Sequence, residues 1–95
     1  MSTNTNTKHC TNAREAREAH REGRRWRLRC VYVGLNHANE SRHSDKFWEL
    51  SGNGRRVTRR WGRRGTRGQS MSDSLSTGIE KFYEKLDKGY RVTVA

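Results

Sequence analysis

No run of apolar residues in this chain approaches the roughly 18–20 needed to cross a bilayer as a helix, and none stands in the first ten residues, MSTNTNTKHC. The first absence excludes a membrane-spanning helix and the second a secretory signal. The expectation is an intracellular protein, cytoplasmic or nucleoid-associated in a bacterium, without membrane contact. Hydrophobic residues make up only 29% of the 95. That composition supports one small core and leaves no room for a nucleotide-binding fold beside a catalytic domain. Cysteine is scarce too. Cys10 and Cys30 stand alone without CxxC spacing. In a reducing compartment they are two free thiols, and Cys30 reads as a small hydrophobe on a strand. A disulfide between them belongs only to the secreted case. His9, His20, His37 and His43 form no tight ligand pairs with these thiols, so no metal site is expected. Nor is a catalytic set visible. The GRRGTRGQ run at 62–69 lacks the lysine and hydroxyl of a phosphate-binding Walker loop. The expectation is a module without enzymatic activity, metal or cofactor.

Acid is missing from one place in particular. Residues 50–72 hold seven arginines and no Asp or Glu, so they contribute +7 of the chain's net +11. Residues 1–23 balance four bases against three acids, and residues 73–95 balance four against four. The seven arginines fall within RRVTRRWGRRGTR at 55–67, with Gly68 and Gln69 following. Guanidinium forks on both sides of an aromatic ring suit a phosphate backbone that offers a sugar or base to stack on. On an extended strand Val57, Arg59, Trp61 and Arg63 share one face, and Arg56, Thr58, Arg60 and Gly62 the other. With few acids nearby, intramolecular pairing is not expected to absorb seven guanidiniums. Phosphate is the natural partner for Arg55, Arg56, Arg59, Arg60, Arg63, Arg64 and Arg67.

The remaining pattern predicts a small α+β domain. Residues 1–12 read as a disordered leader. Residues 12–22 read as a marginal, solvated helix capped by Asn12, with no apolar face beyond Ala13, Ala16 and Ala19. Together residues 1–23 form an N-terminal arm, and residues 24–95 the domain. Trp26, Leu28, Cys30 and Tyr32 alternate with Arg25, Arg27 and Arg29, which predicts a half-buried strand over 25–34. A polar loop is expected at 35–45, a second strand at 46–51, and a hairpin turn at SGNG 51–54. A third strand then runs over 55–63, and a fourth near 69–72. Leu75, Ile79, Phe82 and Leu86 form one helical stripe. Ser74 or Thr77 is the expected cap and Gly89 the C′ residue. Gly78 lets this helix approach the sheet. Tyr90, Val92 and Val94 alternate as an edge strand or a tail, which leaves the oligomeric state open. The sum is an antiparallel sheet of about four strands with one C-terminal helix across a face. Trp26 and Trp48 are assigned to the core.

The stretch KFWELSGNGRRVTRRWGRRGTRGQ, followed by SLSTGIEKFYEKLDKGY, resembles the WGR domain of poly(ADP-ribose) polymerases and many bacterial proteins. The likeness covers roughly residues 25–90. Its elements come in the family's order: Phe47 and Trp48 on a strand, the Trp61-Gly62-Arg63 triplet, the turn with Gly65 and Gly68, Gln69, and the helix with Phe82 and Lys85. In the polymerases the motif tryptophan stacks on the terminal sugar at a DNA break and the motif arginine contacts the backbone nearby. The resemblance therefore implies stacking by Trp61 and phosphate contact by Arg63. It also implies that Gly62 leaves room for the ligand, and that the Gly65–Gly68 turn exposes amides to it. The implied partner is DNA, with ends or nicks as targets. The signalling role of the polymerase domain does not transfer, because no catalytic domain is present. Read from the residues alone, Trp61 is also a core candidate, and Arg55, Arg56, Arg59 and Arg60 have a solvated face as their alternative reading. Two other partners suit the same strip: an acidic protein, and RNA.

Overall fold

Alternation in the chain becomes a two-faced sheet. The computed structural model describes residues 7–36 and 39–93, with residues 35–36 and 39–44 described by their backbone alone. The elements are β1 (Lys8–Cys10), α1 (Ala13–Arg21), β2 (Trp26–Asn36), β3 (Asn39–Asn53), β4 (Arg56–Arg63), β5 (Gln69–Asp73), α2 (Leu75–Asp87) and β6 (Arg91–Thr93). β2 through β5 form an antiparallel meander. β1 lies parallel along Trp26–Leu28 of β2, and β6 antiparallel along Arg29–Val31, end to end on the same edge.

The register stacks Trp26, Leu28 and Cys30 of β2 beside Gly52, Leu50 and Trp48 of β3. All of these but Gly52 join Cys10, Val57, the three alanines of α1 and Ile79 and Phe82 of α2 in one core cluster. Trp26 and Trp48 are buried in it, as their place in the alternation predicts. Both helices thus cover the same face of the sheet. Burying Ile79 and Phe82 is worth roughly 1.5–3 kcal/mol each relative to exposure. Gly78 makes the close contact possible, since a Cβ there would meet Leu50 Cδ1 at 2.5 Å. Ser74 caps α2, its Oγ accepting from the Thr77 amide at 3.1 Å, and Gly89 follows the C-cap at φ 99°.

Three expectations change. The sheet has six strands rather than four, because β1 and β6 use the free edge of β2. The polar loop expected at 35–45 is largely strand: Val33 pairs with Asp45, Gly34 with Ser44 and Leu35 with His43, while residues 37–38 lie outside the described residues. Backbone pairing needs no apolar side chain, so a polar hairpin tip reads as loop from composition. The N-terminal arm changes most. Of the expected leader, residues 1–6 lie outside the described residues, but Lys8–Cys10 form a strand. The helix is present with Asn12 as its cap, accepting from the Glu15 amide at 2.9 Å. Its alanine stripe is not solvated. Ala13, Ala16 and Ala19 are buried against the sheet. Small side chains there let the helix backbone approach, and Trp26 Nε1 donates to His20 Nδ1 at 3.2 Å.

Candidate nucleic-acid interface

The seven arginines of the 55–67 strip separate into two groups once acids from distant strands are brought in. Arg59 meets Asp73 of β5, Nε to Oδ2 at 3.3 Å, with its side chain only 16% exposed. The two atoms are close but misaligned, so the contact is an ion pair without a hydrogen bond. Arg60 lies 3.5 Å from Glu49 of β3, and its guanidinium stands 5.1 Å from the Phe47 ring centre. Arg64 donates to Asp45 at 3.1 Å. Arg55, Arg56, Arg63 and Arg67 are exposed and have no ion pair among the described residues. The expectation that intramolecular acids could not absorb the strip is therefore corrected for Arg59, Arg60 and Arg64. Each acid is remote in sequence and becomes a neighbour only through strand register.

Trp61 satisfies both of its readings in part. It lies on the helix-covered face opposite Trp48 and Gln69. It packs against the margin of the core yet stays only half-buried. The Arg59 guanidinium stands 5.4 Å from its ring centre. Arg63, two residues on, shares its face and is exposed. Gln69, also exposed, completes that edge.

The glycines have reasons internal to the fold. The turn after β4 folds back over the strand. A Cβ on Gly62 would stand 2.8 Å from Gly68 Cα, and one on Gly68 would run into the Trp61 carbonyl oxygen and Phe47. The side-chain space at Gly62 is thus taken by the chain's own turn, and the expected room for a ligand there is corrected. Gly65 and Gly68 do adopt the expected positive φ, 86° and 72°, and the Thr66 amide between them donates to the Arg63 carbonyl at 3.1 Å.

Two lysines that composition did not connect to the strip stand beside it. Lys46 is the cross-strand neighbour of both Arg63 and Tyr32. Lys85, near the C-terminus of α2, lies 5.2 Å from the Tyr90 ring centre. Burial pushes the Lys85 ammonium below the usual lysine range, and neighbouring positive charge, Lys88 first and then Lys46, adds to the effect. Tyr32 and Tyr90 stack at 5.5 Å. A row of cations and aromatic rings thus runs from Trp61 and Arg63 through Lys46 to Tyr32 and Tyr90. Only the register reveals this row. Among the described residues no cluster of His, Cys, Asp or Glu is placed to hold a metal ion, and Cys10 and Cys30 are buried free thiols.

The family model of the WGR domain matches residues 31–94. The chain belongs to the WGR family. WGR domains are nucleic-acid-binding modules rather than catalytic ones. A crystal structure of a protein from Bacteroides fragilis is similar to this WGR chain with a TM-score of 0.53 and 26% sequence identity. The likeness covers 70% of this chain but only 19% of that one, so this chain spans less than a fifth of that protein's length. No curated protein sequence matches the chain.

Proposed function

We propose that this WGR domain binds DNA at strand ends or nicks. The half-exposed Trp61 stacks on a terminal sugar or base while Arg63 and Arg67 grip the adjoining phosphates. The observation that supports this reading most is the division of the strip. Three arginines are paired with acids, Arg64 only at the surface, while Arg63 stands exposed on the Trp61 face and Arg67 exposed in the turn that follows. Arg55 and Arg56 extend the cationic track at the opposite end of β4. Gln69 adds a neutral donor, as do the amides of the Gly65–Gly68 turn other than that of Thr66, which donates to the Arg63 carbonyl. Gly62 contributes by letting that turn close. Arg59 supports Trp61 from the side, Arg64 pairs with Asp45 at the surface, and Arg60 points to the opposite face of the sheet, away from Trp61. Residues 24–95 form the binding domain, and residues 8–21 brace its sheet edge.

The test is an affinity comparison in about 0.15 M salt, where the Debye length is about 8 Å. Labelled DNA with a 5′-phosphorylated nick competes against an intact closed circle. Trp61→Ala and Arg63→Ala are measured beside the wild type. Preference for the nicked DNA, lost in both variants, is the expected result. Log affinity should fall with log salt at roughly −0.9 per phosphate contacted on duplex. Equal binding to the circle, unaffected by either substitution, would return Trp61 to the core alone. An RNA competitor that displaces the DNA at equal concentration would move the target class to RNA. A flat salt dependence would move it to an acidic protein.

A further inference from the structure

We propose that the sheet face opposite the helices is a second nucleic-acid contact surface, built on Glu49 and gripping a phosphodiester backbone with Arg27, Arg29, Arg60 and Arg91. The inference rests on reading the chain as a nucleic-acid-binding module, but it places the contact away from Trp61. The register fixes the layout. Glu49 of β3 lies between Arg29 of β2 and Arg60 of β4, and Thr93 and Ser70 extend the row on either side. Arg91 lies beside Val31 on the same face. Neither helix contributes to this face among the described residues, because their buried side chains all join the core cluster on the other one.

Glu49 is 5% exposed and meets three guanidiniums, at 3.0 Å for Arg29, 3.5 Å for Arg60 and 3.7 Å for Arg27. One carboxylate against three cations leaves two positive charges in excess, and Arg91 makes three. A carboxylate offers about four lone-pair sites, whereas three guanidiniums carry roughly fifteen N–H donors. Most of those donors therefore remain for another oxygen-rich partner. The arrangement is also held in place. Arg29 and Arg60 stand 4.6 and 5.1 Å from the ring centre of Phe47, which is buried beneath them and the returning turn. Glu49 and Phe47 thus act as a template that orders the arginines before a ligand arrives, which lowers the entropy cost of gripping it. Serine and threonine at 51, 58, 70 and 72 line one side of the arginines, and Val31 and the exposed Val33 lie on the same face toward the hairpin. A surface of guanidiniums and hydroxyls with three excess charges complements a phosphate chain, to which such side chains donate. With Trp61 and Arg63 on the helix-covered face, one molecule then contacts two duplex segments.

The experiment measures salt-dependent affinity and stoichiometry for a labelled blunt DNA duplex with four proteins. These are the wild type, the Trp61→Ala/Arg63→Ala/Arg67→Ala triple variant, the Arg27→Gln/Arg91→Gln double variant, and all five substitutions together. The double variant leaves Glu49 paired with Arg29 and Arg60, so its melting temperature should match the wild type. With DNA in excess, the wild type should hold two duplexes and the double variant one. The double variant should also lose roughly 2 units of log–log salt slope, about 0.9 per arginine. A double variant with wild-type slope and stoichiometry overturns the open-face surface and leaves the Trp61 reading intact. A triple variant that binds like the wild type, while the double variant does not, sinks the Trp61 reading and keeps the open face. Guanidinium NMR signals of wild-type Arg27 and Arg60 provide a check without mutation. They should shift as duplex is added, and stationary signals count against the surface.

Discussion

The two faces of the sheet come from the same strands and solve burial by opposite means. On the helix-covered face, Trp26, Leu28, Cys30, Trp48 and Leu50 meet Ile79, Phe82 and an alanine stripe, and apolar area removed from water supplies the stability. On the open face, Phe47 is buried as deeply as Phe82, yet its lid is two guanidiniums and a glycine turn. The same degree of burial therefore stands for two different environments. One face excludes water by packing. The other does so with charged groups that must remain balanced by Glu49.

Truncating the two phenylalanines tests that contrast most directly. Phe82→Ala should cost about 3–5 kcal/mol, the usual range for emptying a core site that cannot collapse. Phe47→Ala should cost less, roughly 2–3 kcal/mol, because arginine side chains can settle into the space and water can reach it. Chemical denaturation measures both, and equal losses would make the open face a second packed core. Next in size is Gly78→Ala. On a solvated helix this change stabilises by about 1 kcal/mol. Here the new methyl meets Leu50 at 2.5 Å, so a loss of about 1–3 kcal/mol is expected from overpacking. A gain would mean that α2 sits farther from the sheet than described.

Paired and unpaired arginines should then separate by readout. Arg59→Ala removes the partner of Asp73, whose side chain is 8% exposed, and should lower stability by about 1–2 kcal/mol. Arg63→Ala should change stability by less than about 0.5 kcal/mol while weakening DNA binding. The reverse pattern would exchange their roles. The last contrast is alkaline. Burial raises the Cys30 thiol from 9.0 to about 12, and it raises Cys10 as well. The unfolded chain therefore loses these protons first. The thiol contribution is fully present below about pH 9 and falls as pH rises toward 12. The unfolding midpoint should decline across that window, and less steeply in Cys30→Ala. Parallel slopes in the two proteins would assign the decline to other groups.

Much of the fold was legible in the chain. The period-two run at 26–32, the SGNG turn and the stripe of Leu75, Ile79, Phe82 and Leu86 each carry a local signature, and the elements form where those signatures lie. Residues 8–21 were not legible in the same way. Three alanines look like a solvated helix until a sheet edge and Trp26 lie beneath them. The hairpin tip beyond Val33 was misread for a related reason, because ladder hydrogen bonds leave no trace in side-chain composition.

The candidate site divides along the same line. By itself the sequence determined that seven arginines crowd around one tryptophan without an acid among them, and that the face carrying Trp61 also carries Arg59 and Arg63. Alternation along a strand is a local property, and local order along the chain is enough to set it. Only the tertiary structure decided which arginines are engaged. Asp73, Glu49 and Asp45 reach Arg59, Arg60 and Arg64 across neighbouring strands, and the same register sets a second cation, Lys46, beside Arg63. Charge pairing falls off over a few ångströms, and it is strand register, not separation in sequence, that sets those distances.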